Sequence, residues 1–244
     1  MTIRLYVTAD LGPGPLALCK EHAHYVANVM RAKAGEDVLV FNGRDGEWRG
    51  TFAHVAKNAV AITLDAQTRP QAAGPDLWLV AAPIKKERID LVAEKASELG
   101  ASALWPVFTR RTVMSRVNTE RLSAHMVEAA EQCERLSVPV VMEPAPLDKA
   151  LAGWDVARTL LFLDETGTGA PIAEMLAGLP AGPLAVLVGP EGGFAPEERA
   201  ALAKLPFAKP VSLGPRILRA ETAAIAALSI VQAIKGDWSR GPRQ

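Results

Sequence analysis

Apolar positions along the chain change their rhythm once, near residue 70. Before it, short apolar stretches at 3–7, 38–41, 48–55 and 60–64 predict strands, and one helix is predicted over 21–32. Between two of these strands, 42-NGRDGEW-48 carries the Asn-Gly and Asp-Gly pairs of tight turns. This pattern suits a small β-barrel. The stretch 66-AQTRPQAAGPD-76 is rich in Pro, Gly and small polar residues and reads as a linker, dividing the chain into domains 1–70 and 75–244.

Beyond the linker, strands alternate with helices. Strands are predicted at 77–82, 103–108, 160–163, 184–188 and 211–213. Helices are predicted at 87–99, ending on Gly100, at 120–134 and at 220–234. The second of these carries Leu122, Met126, Ala129 and Cys133 on one stripe. Such alternation predicts an α/β fold with a mostly parallel sheet and helices on both faces. The helix over 220–234 is apolar nearly all round, which suits either a core helix or one that also supplies a subunit interface.

Composition narrows the function classes. Apolar residues make up 49% of the chain and charged ones 22%, as in an ordinary globular protein. Lys+Arg and Asp+Glu both number 27, so contact with nucleic acid must come from local patches rather than bulk charge. The cysteines, Cys19 and Cys133, are too far apart for a Cys-x-x-Cys pair, so neither a disulfide framework nor a zinc site is expected. His22 and His24 point apart on a helix, and no metal is expected. No run approaches the length of a membrane span and the N-terminus has no signal pattern, so a cytoplasmic protein is expected.

The chemistry concentrates in two segments. The first, 184-LAVLVGPEGGFAPEE-198, is a strand, a glycine-rich turn and a helix start with Pro196 in its first turn. It is no P-loop, because Lys-Ser/Thr does not follow the last glycine, and Glu191 repels phosphate. What remains is a plain strand–helix bend or a turn whose backbone must approach a ligand closely. The second, 213-LGPRILRAETAAIAAL-228, repeats a strand end and Gly-Pro before a helix, and adds Arg216, Arg219, Glu221 and Thr222.

Together, LVGPEGGF (187–194) and LGPRILRAETA (213–223) resemble the bacterial 16S rRNA (uracil-N3) methyltransferase family of the SPOUT superfamily. The resemblance extends to 95-KASELG-100, 106-PVFTRRTV-113 and 129-AAEQCERLSVP-139, and to 24-HYVANVMR-31 and 41-FNGRDGEW-48 in the first domain. The chain departs from the family where Glu134 replaces a frequent Gly, Ala195 a common Ser and Asn42 a usual Asp.

The resemblance implies a PUA-like barrel followed by a trefoil-knotted α/β domain that binds S-adenosylmethionine and forms homodimers with shared sites. The implied substrate is a uridine N3 in 16S rRNA of the small ribosomal subunit. Alternatives are another RNA target, or a non-catalytic RNA-binding assembly factor that kept the fold. Cofactor contacts are then expected from Leu163, Glu165, Val188, Gly189, Pro190, Glu191, Gly192, Leu213, Gly214, Ile217 and Leu218. Arg219 is expected to stabilise the reacting pyrimidine, with Glu221 as its orienting partner or a proton acceptor, and Arg111 as a second cation at the site. RNA contacts are expected from Arg4, Arg31, Arg44, Arg49, Arg110, Arg116 and Arg135. The five tryptophans are scattered in sequence and read as packing or linker residues.

Overall fold

The computed structural model describes residues 2–57, 59–166 and 169–241, all but the side chain of Glu21. The chain forms two compact units, one of residues up to 73 with 130–138, the other of 74–129 with 139 onward.

The first unit holds strands β1 (Ile3–Tyr6), β2 (Gly14–Ala17), β3 (Asp37–Phe41), β4 (Glu47–Ala56) and β5 (Ala59–Arg69). They form one sheet in the order β1-β3-β4-β5-β2, antiparallel except for the parallel β1–β3 pair. Three register irregularities between β4 and β5 curl it around a core that includes Val38, Val40, Phe52 and Ile62. The short helix α1 (Lys20–His24) runs into a π-helical turn at Tyr25–Val29. Strand β5 continues to Arg69, so the linker starts later than composition suggests.

Within the 42–48 turn, the Asn42 side-chain oxygen accepts the Arg44 and Asp45 backbone N–H groups at 2.9 and 2.8 Å, and Gly43 and Gly46 take positive φ. The N–H of Leu11, then the Asn42 amide, hold the Asp45 carboxyl below its ordinary range.

The segment 130–138, which the linear reading placed with the second domain, is bound into this unit by Arg4. Its guanidinium pairs with Glu47 at 2.7 Å, donates to the carbonyls of Ala130 and Arg135 at 2.8 and 2.7 Å, and lies over the Phe41 ring. The Arg4 side chain is only 5% exposed. It is a structural cation, not the RNA contact expected of it. Cys133 is exposed rather than buried on the helix stripe, which ends with Ala129.

Glu134 sits at φ 61°, in the left-handed region where a side chain is disfavoured. Glu134→Gly is expected to raise stability by about 1 kcal/mol, read as a higher midpoint in urea unfolding with an unchanged slope.

The second unit is built on strands β6 (Leu77–Ala81), β7 (Ala103–Phe108), β8 (Val140–Val141), β9 (Ala145–Pro146), β10 (Thr159–Leu163), β11 (Ala170–Pro171), β12 (Leu184–Val188) and β13 (Ala208–Ser212). The order is β11-β13-β10-β12-β6-β7-β8, with β9 also on β7, and every pairing is parallel. Its helices are α2 (Lys86–Glu98), α3 (Thr119–Gln132, whose end belongs to the first unit), α4 (Leu147–Ala152), α5 (Ile172–Gly178), α6 (Pro196–Ala203) and α7 (Ala220–Lys235). Central strand β12 is buried at all its positions, as expected for a strand covered on both faces. Helix α7 packs on α2 and α5 and against β12 and β6. It buries Ala223, Ala224, Ala227, Leu228 and Val231 but leaves Ile225, Ala226, Ser229 and Ile230 half-buried.

Three of the five tryptophans meet in space. Trp105 stacks on Trp154 at 6.0 Å, Trp78 meets both edge-on, and the Arg158 guanidinium covers Trp78. Their role is packing. Among the described residues, no helix is long and apolar enough to cross a membrane.

Candidate active site at the carboxyl edge of the parallel sheet

Because the strands run parallel, the loops leaving their carboxyl ends share one edge of the sheet. In open α/β sheets, ligands bind at this edge. A pocket of about 290 Å³ opens there, lined by residues following β10, β12 and β13. Ten of the eleven cofactor residues expected from the sequence line it: Leu163, Glu165, Val188, Gly189, Pro190, Glu191, Leu213, Gly214, Ile217 and Leu218. The eleventh, Gly192, does not. Asp164, Gly193, Val211, Ser212, Arg216, Ala220 and Ala223 complete the lining with Arg219. Of these, Asp164 is a carboxylate directly after a strand, and Arg216 lies inside the LGPRILRAETA segment.

The turns are held by specific contacts. A Cβ on Gly189 would stand 3.2–3.4 Å from the Phe194 ring, which is itself buried. Gly193 takes φ +64° and Gly214 φ +102°, conformations that glycine adopts without penalty. Asp164 Oδ1 accepts from the backbone and hydroxyl of Thr166 at 3.1 and 2.8 Å, and Arg199 lies 3.7 Å away. The hydroxyl of Ser212 accepts the Gly214 N–H.

Ala195 cannot cap α6 with its side chain. Glu198 reaches back instead: Oε2 accepts the Ala195 N–H at 2.9 Å, and Oε1 accepts the Arg110 N–H at 2.8 Å. One carboxylate thus fixes both the helix start and the loop after β7, supplying part of what the missing cap withholds.

The cations separate into occupied and free. Arg219, the N-cap of α7, is extended and exposed, with no acidic partner among the described residues; Arg216 is likewise exposed. Arg111 donates to the Gly192 carbonyl at 2.8 Å and so braces the glycine turn. Glu221, by contrast, does not line the pocket. Its Oε1 faces Arg88 at 3.6 Å, while its buried Oε2 has no hydrogen-bond partner. Arg88 also approaches Glu191 at 3.9 Å, tying the glycine turn to the start of α7. Nothing in the sequence singled out Arg88.

Of the expected RNA contacts in this unit, Arg110 pairs with Glu197 at 3.6 Å, and Arg116 is exposed without an acidic partner among the described residues. In the first unit, Arg44 pairs with Asp10 and Arg49 with Asp65, all four at exposed positions. Arg31 is exposed at φ 53°, and Arg135 donates to the Ser137 hydroxyl.

The lining combines close backbone and apolar side chains with the carboxylates of Asp164, Glu165 and Glu191 and the guanidiniums of Arg216 and Arg219, which suits a ligand with apolar surface and charges of both signs. Three carboxylates against two guanidiniums leave the lining without the net positive charge of a phosphate cradle. Comparison with known proteins agrees. An RNA methyltransferase domain matches residues 72–232 and an RNA methyltransferase PUA domain residues 18–65. Ribosomal RNA small subunit methyltransferase E of Rickettsia conorii is 33% identical, with 94% of each chain covered. The protein of that name from Synechocystis is 30% identical over 96% of this chain and 78% of its own.

Among solved structures, one from Legionella pneumophila, described as a methyltransferase with bound S-adenosylmethionine, is 31% identical with a TM-score of 0.88. The match covers 97% of this chain and 99% of that one. The Neisseria gonorrhoeae ribosomal RNA small subunit methyltransferase E, bound to S-adenosyl methionine, is 25% identical with a TM-score of 0.89, covering 98% and 100%. With its glycine turns gathered around one pocket and these relatives matching most of its length, the chain belongs to the ribosomal RNA small subunit methyltransferase E family of RNA methyltransferases.

Proposed function

We propose that the protein methylates N3 of one uridine in the 16S rRNA of the small ribosomal subunit, using S-adenosylmethionine, in the cytoplasm and as a homodimer. The observation that carries this reading is the meeting of both Gly-Pro turns in one pocket, with Arg219, which has no acidic partner among the described residues, on its wall. When bound, S-adenosylmethionine supplies an electrophilic methyl group on a sulfonium.

The chain's own residues supply the rest. Backbone at 188–191 and 213–214, with Leu163 and Leu218, forms the close wall against the cofactor, and Glu165 and Glu191 offer negative charge to a cation. N3 of uracil is a poor nucleophile until its proton leaves, and the resulting charge spreads onto the two flanking carbonyl oxygens. A guanidinium at those oxygens stabilises that charge, and holding the ring in line supplies much of the remaining acceleration. Arg219 is the group for the first task. Glu221 is not proposed as its partner, since its carboxylate faces Arg88. Arg111 acts through the turn that it braces. The half-covered face of α7, with Ile225, Ala226, Ser229 and Ile230, supports the homodimer.

Two measurements test the reading. Calorimetry should show saturable S-adenosylmethionine binding by the purified protein, and a flat titration overturns the enzyme reading. In rRNA from a strain lacking the gene, N3-methyluridine should vanish from the small subunit. Its persistence removes the substrate assignment.

A further inference from the structure

The first cations after β6 stand beside the pocket and were not singled out by any sequence motif. Strand β6 lies next to β12, with Ala81 opposite Val188 and the Ala82 N–H donating to the Val188 carbonyl at 2.9 Å. The chain then runs through buried Ile84 and emerges as Lys85 and Lys86, both exposed. One turn further, Arg88 faces Glu191 of the pocket at 3.9 Å and Glu221 of α7 at 3.6 Å. The start of α2 therefore abuts the pocket turn and the helix that begins at Arg219.

Neither lysine is engaged by a carboxylate among the described residues. Both also contradict local helix chemistry. Lys85 is the N-cap of α2 and makes no side-chain cap bond, and Lys86 is the first helical residue. Positive charge at this end opposes the helix dipole, and lysine has no acceptor for the first-turn N–H groups. Glu87 offsets one charge at most. Residues that break a local rule without an internal compensation mark functional positions. Several arginines read from the sequence as RNA contacts are, by contrast, occupied: Arg4 is buried, and Arg44, Arg49 and Arg110 are held by carboxylates. Exposed cations with no carboxylate partner among the described residues include Lys85 and Lys86 after β6 and Arg216 and Arg219 after β13.

We propose that Lys85 and Lys86 seat a backbone phosphate of the RNA whose base enters the pocket. The assignment rests on the RNA-substrate reading above. Flexible ammonium groups suit this task, since phosphate contacts set position without reading sequence. Arg219 and the pocket would then act on the base while the two lysines hold the strand.

The test is Lys85→Gln/Lys86→Gln in the full-length protein, with a 16S rRNA transcript as probe. The dissociation constant for RNA should rise about tenfold at low salt. The slope of log affinity against log salt should become shallower by about one, the change expected for losing one or two phosphate contacts. The loss should fall on KM for RNA, and S-adenosylmethionine affinity by calorimetry should stay within twofold. Lys85→Arg/Lys86→Arg should restore the salt slope. Unchanged RNA affinity and slope overturn the proposal, as does a parallel loss of cofactor binding, which would mark a structural role for the α2 start. A wild-type protein that binds cofactor but no ribosomal RNA overturns the substrate reading and this assignment with it.

Discussion

Replacing Arg219 with alanine is expected to lower methyl transfer by at least ~10²-fold while leaving S-adenosylmethionine affinity nearly unchanged. The side chain lines the pocket, is exposed, and has no carboxylate partner among the described residues. Its removal therefore leaves no buried charge behind and no fold contact unmade. Helix α7 keeps its first bond, Ala223 N–H to the Arg219 carbonyl, because that bond uses the main chain. What is lost is fixed positive charge where the pyrimidine becomes anionic. Single-turnover rates at saturating cofactor and RNA measure this directly. Turnover at the wild-type rate would remove Arg219 from the chemistry. Weakened cofactor binding with normal turnover would assign it to the cofactor instead.

Arg4→Met should destabilise the first unit by about 3 kcal/mol, lowering its thermal midpoint by roughly 12–24 °C. Removing the guanidinium leaves the Glu47 carboxylate, 5% exposed, with the Thr68 hydroxyl donating at 3.0 Å and, among the described residues, only the more distant Arg69 at 3.8 Å as a cation. It also leaves the carbonyls of Ala130 and Arg135 without their donors. A buried carboxylate deprived of its partner is what makes such variants severe. Replacing both partners, Arg4→Met with Glu47→Leu, should recover part of the loss, since no orphan charge then remains. Circular dichroism melts of the single and double variants check this. An unchanged melt with weakened RNA binding would instead return Arg4 to the RNA surface.

These two arginines show where sequence reading succeeds and where it stops. Arg219 lies within a motif that the family resemblance singled out and whose neighbours share one turn, and it falls on the pocket wall with them. Arg4 sits on a strand and looks like any surface cation. Its partners at 47, 130 and 135 are scattered through the chain, and local pattern carries no record of them. The same holds for Glu221. Its neighbourhood in sequence suggests Arg219 as partner, but Arg88 comes from another helix. Tryptophans 78, 105 and 154 looked scattered for the same reason and yet stack together.

By itself, the sequence determined the β-rich first part, the alternating second part, and the two glycine turns that line the pocket. Strand periodicity, helix stripes and turn chemistry act over a few residues, and the parallel order places every strand's exit loop at one edge. The tertiary structure decided which cations are free. An arginine's availability depends on whether a carboxylate or carbonyl lies within reach, which is set by packing between distant segments. It moved Arg4 into a core and brought Arg88 between two glutamates. It left Lys85 and Lys86 without a carboxylate partner among the described residues, beside the pocket and where no motif pointed.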